Sequence, residues 1–261
     1  MSIRMIKAAI VALSLAALGP AVASADSLEN ITKTGVIRIA VPEDFSGYGM
    51  MGPDLKPVGY DVDVAAYVAR KLGATLELVP VGGANRIPAL QTNKADLIIA
   101  VLGKNAEREA VIDFTNAYGI LNNSVFAEAG TKISGPADLA GKSVSALRGG
   151  IADTLLTEVA PPKATIKRYE DENGNTQAFL SGQVDAIATG DLIINALVAR
   201  KPARVPVEKF ILNKSPLHIG VKKGEKALVE RVNKIIAEMI ADGSLRTASQ
   251  KWLGRDLPEK F

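Results

Sequence analysis

The sequence predicts an α/β protein of two lobes, each a mostly parallel sheet flanked by helices. Three observations predict it. Between residues 36 and 102, short β-branched apolar runs alternate with helix-period segments, the βαβ order of a parallel sheet. The alternation starts afresh after Ser134, so the pattern occurs twice in tandem. The chain then ends differently, on a strand, a long amphipathic helix and a short one.

The first 25 residues stand outside that fold. Arg4 and Lys7 form a positive n-region, residues 8–18 an apolar core, and Ala23-Ser24-Ala25 an A-x-A cleavage site, the three parts of a cleaved secretory signal. Removing it leaves 29 basic against 28 acidic side chains, so neither a nucleic acid nor a membrane surface is expected as partner. With no cysteine there is no disulfide, and no lipidated residue follows the signal, so no membrane anchor is expected. The expected location is the periplasm. The remaining chain is long enough for one large domain or two lobes, and no later stretch is long and apolar enough to span a membrane.

Residues 36–41 read as a first buried strand, and residues 42–58 as a loop rich in Gly, Pro, Phe45, Tyr48 and Met; structureless loops of that length are usually functional. Asp61 is placed as the cap of a helix with Val62, Ala65, Ala66, Ala69 and Leu72 inward, closed by Gly73. Residues 76–81 form a strand, 85–92 a short helix and 97–102 a strand covered on both faces. After a break at 119–130 come a helical turn at 136–140, strands at 143–147, 166–169 and 185–189, and helices at 151–159 and 176–181. A strand at 218–221 then precedes a helix at 225–241 with Leu228, Val232, Ile235, Met239 and Ile240 inward. Gly243 stops it, and a helix at 245–252 packs Trp252 on a lobe.

The stretch from Lys94 to Tyr118 concentrates the chemistry. Gly103 ends its strand and Asn105 caps a helix, leaving unpaired N–H groups in the first turn beside Arg108. Free donors, the helix dipole and a guanidinium converge where the carboxyl end of a strand meets a helix, a setting for a small carboxylate. Guanidinium offers a planar, permanently charged fork that Lys104 lacks. Its plainer reading is a helix-start arginine paired with Glu107 or Asp113.

At these residues the chain resembles the type II periplasmic solute-binding proteins that serve ABC importers for polar amino acids, extracellular solute-binding protein family 3. The resemblance covers the chain after the signal. It rests on Gly35-Val36-Ile37-Arg38-Ile39-Ala40-Val41, Val58-Gly59-Tyr60-Asp61-Val62-Asp63, Arg86-Ile87-Pro88-Ala89-Leu90-Gln91, Lys94-Ala95-Asp96-Leu97-Ile98, Glu107-Arg108, Ile112-Asp113-Phe114, Gly182-Gln183-Val184-Asp185-Ala186 and Ala241-Asp242-Gly243-Ser244-Leu245. It implies two lobes joined by two crossing strands and a hinge that closes on one solute. The implied division is residues 26–120 and 216–261 in the first lobe, 121–215 in the second.

The resemblance also implies roles. Arg108 matches the arginine that pairs with a ligand carboxylate. Val101 and Gly103 stand where hydroxyl residues are usual, so Gly103 retains only backbone N–H; Gly149 and Gly150 offer N–H groups where a Thr is usual after the first. The Asp that holds an α-amino group falls on Gly190, with Asp191 one place later. As a helix N-cap, Asp191 would look identical. Arg86 borders the same cleft, and two arginines favour an acidic or doubly anionic ligand; its plainer reading is a solvated first-turn residue. Phe45 and Tyr48 match an aromatic cover over the ligand, or pack on their own lobe, and Asn85 is a further ligand candidate. The implied partners are a small polar carboxylate, an amino acid by class, and the importer's membrane permease.

The sole histidine, His218, falls in a crossing strand and reads as structural. One His and no Cys build no closed zinc site, no acidic ladder binds calcium, and no phosphate loop or nucleophile elbow appears, so no metal, cofactor or catalytic residue is expected. Two alternatives remain: a binding protein for an anion other than an amino acid, and an enzyme. Some proteins of this architecture act as cyclohexadienyl dehydratases, whose chemistry needs a carboxyl acid of raised pKa; Glu43, Asp44, Glu170 and Asp191 are its candidates.

Overall fold

The computed structural model describes residues 27–257; the expected signal segment lies outside the described residues. Helix α1 (Ser27–Thr34) leads into β1 (Val36–Pro42). The expected loop at 42–58 holds three very short strands, β2 (Asp44–Phe45), β3 (Gly49–Met51) and β4 (Pro57–Val58), paired into a small antiparallel sheet. Strands of two or three residues are too short to show a period. Gly59 turns this sheet into α2 (Tyr60–Leu72) at φ 144°, and a Cβ there would collide with the Tyr48 carbonyl. Asp61 is therefore not the cap: it is the second helical residue, and its carboxylate points into the core. Gly73 closes α2 in the left-handed conformation, as expected.

The first lobe continues with β5 (Thr75–Val81), a 3₁₀ turn, α3 (Arg86–Gln91) and β6 (Leu97–Ile98). The apolar run at 97–102 is thus a strand for only two residues. Beyond the strand Val101 adopts φ 46°, a conformation that costs a β-branched residue about 1–2 kcal/mol. Helix α4 (Ala106–Val111) then feeds β7 (Ile112–Ala127). The second lobe contains β8 (Ser143–Leu147), α5 (Ile151–Val159), β9 (Thr165–Tyr169), α6 (Glu172–Leu180), β10 (Ala186–Gly190) and α7 (Asp191–Ala199). The chain returns along β11 (Val207–Lys222) into α8 (Lys226–Ala241) and α9 (Ser244–Leu253).

The large sheet runs β5-β1-β6-β11-β7-β10-β8-β9. Its outer strands are parallel, β5 and β6 to β1 on one side, β8 to β10 and β9 on the other. Between them β7 and β11 pair antiparallel along almost their whole length and join the two lobes. Of the expected break at 119–130, residues 119–127 are in fact the distal half of β7. Its polar residues hid it: Asn122, Asn123 and Ser124 interrupt the apolar pattern because the strand's surroundings change as it passes from one lobe to the other. The pairing stays in register from Asn213 to Leu217, where the chain passes between lobes, and shifts on either side, at Ile211/Asn213 and at Leu217/His218.

Each lobe is covered on both faces. Val64, Val68, Leu228, Val232, Ile235 and Leu245 pack one face of the first lobe, so the last helices belong to it. Ala89, Leu90 and Ile98 pack the other. Val144 and Leu156 cover one face of the second lobe, Phe179 and Ile194 the other. Ile240, expected inward, is 51% exposed, because it lies one helical step round from the buried Met239, outside the inward stripe of α8. Trp252 is half-buried and donates from Nε1 to Asp63 at 2.7 Å. His218 packs edge-on to Phe114 with Nδ1 2.8 Å from Thr115 O, a structural setting.

Candidate functional site

Polar groups meet in the gap between the lobes. On the first lobe, Asn105 caps α4 by accepting from the Arg108 backbone N–H at 2.9 Å, as its side-chain type dictates. That cap turns the Arg108 side chain into the gap, where its guanidinium donates to Gly103 O at 2.5 Å and, across the gap, to Gly149 O at 2.8 Å. Gly149 reaches this position at φ 68°, and a Cβ on it would lie 3.5 Å from Ala84 of the first lobe. Burial, and then the nearby Arg86 charge, lower the Arg108 guanidinium to about 10.

Arg86 opens α3 with 4% of its surface exposed. Its Nη1 donates to Val101 O at 3.3 Å, and its buried Nε has no partner among the described residues. The strained Val101 is what aims that carbonyl, and Asp61 holds Val101 by accepting from its N–H at 2.8 Å. The second Asp61 oxygen accepts from Tyr118 Oη at 2.8 Å. Burial pushes Asp61 up to about 7 despite those two donors. Neither Arg86 nor Arg108 forms an ion pair among the described residues. Asp61, Asp44 and Glu172 act on Arg86 from a distance and offset only part of its burial. Two adjacent guanidiniums that bury without a carboxylate in direct contact are suited to an anion.

The second lobe contributes Glu172, at the start of α6 and 2% exposed. Its Oε1 accepts from Thr189 Oγ1 at 2.5 Å and Asn175 Nδ2 at 3.1 Å. Burial pushes this carboxyl up to about 7 as well. Arg86 and Glu172 border one inner cavity with Phe45, Leu121 and Gly150; at about 20 Å³ it has room for roughly one water. Arg86 also borders an outer cavity of about 310 Å³ with Arg108, Gly149 and Thr154. No amino acid fits the inner cavity as it stands, so a ligand enters only when the lobes part. A groove of about 370 Å³ elsewhere lies on the first lobe alone, and four of its charges pair among themselves, Lys104 with Glu109 at 2.8 Å and Lys223 with Asp113 at 2.9 Å.

The structure thus brings together Arg86, Arg108, Gly103, Phe45, Gly149 and Gly150 around the gap. The N–H groups expected of Gly149 and Gly150 are taken within their own lobe, by Asp153 Oδ2 at 3.2 Å and Leu147 O at 3.0 Å, because each lies in the tight turn that opens α5, so these glycines line the gap without offering donors. Arg86 is buried rather than a solvated first-turn residue. Three candidates stand elsewhere. Tyr48 is fully buried in the first lobe's core, its hydroxyl donating to Ile120 O at 3.1 Å, because the small sheet folds the loop back on its own lobe. The Asp191 carboxylate is taken by Arg255 at 2.9 Å and by Asn122 Nδ2 at 2.8 Å. Asn85 is exposed on the turn before α3. Sequence reasoning missed Glu172, Asp61 and Ser215. A Cβ on Gly103 would stand 2.6 Å from Ser215 Oγ, so β11 places a hydroxyl where the resemblance expected one from residue 103.

A family profile for bacterial extracellular solute-binding proteins, family 3, matches residues 37–255. The chain is 28% identical over 240 residues to the ABC transporter glutamine-binding protein of Bacillus subtilis (strain 168), covering 90% of this chain and 87% of that protein. Among solved structures it is similar to the solute receptor for L-cysteine of Neisseria gonorrhoeae, with TM-score 0.81, 27% identity, and 87% and 93% of the two chains covered. It is also similar to an ancestral amino acid-binding protein described as a precursor of cyclohexadienyl dehydratase, with TM-score 0.78, 27% identity, and 87% and 99% covered. The match over most of the chain, together with two α/β lobes on crossing strands, means that this protein belongs to the bacterial extracellular solute-binding proteins, family 3.

Proposed function

We propose that the protein captures an acidic amino acid or a related small dicarboxylate in the periplasm and presents it to the membrane permease of an ABC importer. One observation carries this reading: two neighbouring buried guanidiniums, Arg86 and Arg108, border the gap without an ion pair among the described residues. The names of relatives support the amino acid class and the importer, a glutamine-binding protein and an L-cystine-binding protein among them. We take the lobes to divide at 120/121 and 215/216, so that β7 and β11 form the hinge.

Closure follows from contacts made only when the lobes meet. Arg108 reaches Gly149 O, Arg255 reaches Asp191, and the Asp44 carboxylate accepts from the backbone N–H groups of Glu172 and Asn173 at the start of α6. A solute that touches both lobes binds the shut form better and shifts the population toward it. Melting midpoints measured with L-glutamate, L-aspartate, glutarate, L-glutamine, L-cystine and L-arginine test the class. The two acidic amino acids are expected to raise the midpoint most; a largest shift with L-arginine would contradict it.

A second reading, a cyclohexadienyl dehydratase-type enzyme, is favoured by one observation, the buried carboxyl of Glu172 on the wall of the inner cavity, which burial pushes up to about 7. None of the four acids expected to serve, Glu43, Asp44, Glu170 and Asp191, borders the inner cavity. Product formation from prephenate or arogenate would establish it in place of simple binding.

A further inference from the structure

We infer that Glu172 receives the ligand's ammonium group, in place of the side chain that is missing at residue 190. This rests on the acidic amino acid reading above and specifies how such a ligand differs from a plain dicarboxylate.

A Cβ on Gly190 would stand 2.6 Å from Leu121 Cδ1 and 3.2 Å from Leu121 Cγ and Cδ2. Leu121, from the crossing part of β7, fills the space that a carboxylate at 190 would use. The next residue does not substitute for it, since Asp191 is held by Arg255 and Asn122. An ammonium group entering the inner cavity therefore finds one carboxylate on its walls, Glu172.

The geometry of Glu172 suits that task. Both of its hydrogen bonds fall on Oε1, from Thr189 and Asn175, which fixes the carboxyl plane and leaves Oε2 without a partner among the described residues. Arg86 borders the same cavity and also the outer one with Arg108. A compact amino acid can therefore place its carboxylates against the two guanidiniums and its ammonium against Glu172, giving each a charge partner in direct contact. The charged groups acting on Glu172 are Asp44 from β2, which holds its proton on, and Arg86 from α3, which favours its loss; Thr189 on β10 and Asn175 on α6 are neutral donors. A cationic ligand group adds to the Arg86 effect, so Glu172 gives up a proton as the ligand binds.

Titration calorimetry with L-glutamate and glutarate tests this, because glutarate keeps both carboxylates and lacks the ammonium. The native protein is expected to prefer L-glutamate by about tenfold or more, and Glu172→Gln to lose that preference while holding glutarate within about threefold. Gln keeps the Oε1 acceptor for Thr189 and Asn175. Should the variant fail to fold, the native protein supplies the second measurement: proton release at pH 7 with L-glutamate and not with glutarate, read from the dependence of binding enthalpy on buffer ionisation. Equal binding of the two probes by the native protein, equal losses for both in Glu172→Gln, or no difference in proton release overturns the inference and leaves the anion-binding reading intact. Failure of the native protein to bind either probe overturns both.

Discussion

Arg108→Ala is expected to weaken ligand binding by about 10- to 150-fold, the equivalent of the roughly 1.5–3 kcal/mol that a charge-assisted hydrogen bond contributes. Two losses combine in that figure. The ligand carboxylate loses a preorganised, permanently charged fork, and the shut form loses the bond that Arg108 makes across the gap to Gly149 O at 2.8 Å. Arg108→Lys restores charge without the planar pair of donors and should recover only part of the affinity. Folding should be little affected, since removing Arg108 relieves its repulsion with Arg86 and ends the burial of an unpaired cation. Calorimetry with L-glutamate reads the first effect, and the melting midpoint without ligand reads the second. Undiminished affinity in Arg108→Ala would remove this residue from the site.

Tyr118→Phe is expected to destabilise the native state by about 1.5–3 kcal/mol at pH 8, or roughly 3–12 °C in melting midpoint. The phenol donates to Asp61 Oδ1 at 2.8 Å, and both residues are fully buried, so its removal strands a carboxylate oxygen in the core. The sign of the pH dependence follows from proton counts. Burial raises the Asp61 carboxyl from 3.8 to about 7 in the folded state, so the folded state binds more protons than the unfolded one across that window. Its contribution to stability is complete below 3.8 and falls as pH rises through 7. Losing the Tyr118 donor raises the carboxyl further and extends the decline to higher pH. Urea unfolding at pH 5 and pH 8 checks this: the penalty should be larger at pH 8, and an equal penalty at both would contradict the account.

What the sequence disclosed was whatever repeats locally. The apolar runs of β1, β5 and β8 and the inward stripe of α8 are periodic over several residues, which makes them legible. The Asn105 cap was legible because its chemistry lies within three residues of the cap itself. What long-range contacts decide was not. Asp61 read as a helix cap because its partners, Val101 and Tyr118, lie 40 and 57 residues away. Asp191 was open between cap and ligand anchor, and the cation that occupies it is Arg255, 64 residues on. The distal half of β7 was missed because its buried Asn123 and Ser124 bond side chains of β11 rather than water, to Asn213 at 3.0 Å and Glu208 at 2.9 Å. Glu172 gave no signal either. It stands before the helix expected at 176, and only the approach of β10 makes it a buried acid.

If two hinged lobes close on a negatively charged solute, the distance across the gap shortens when that solute binds. The chain has no cysteine, so Glu77→Cys on β5 and Lys163→Cys before β9 place two spin labels on exposed sites of opposite lobes. Pulsed electron paramagnetic resonance then reads their separation with and without L-glutamate. Ligand is expected to shift the distances to one narrow distribution, the shut form, and Arg108→Ala is expected not to show that shift at the same ligand concentration. A distribution unchanged by bound ligand would contradict it.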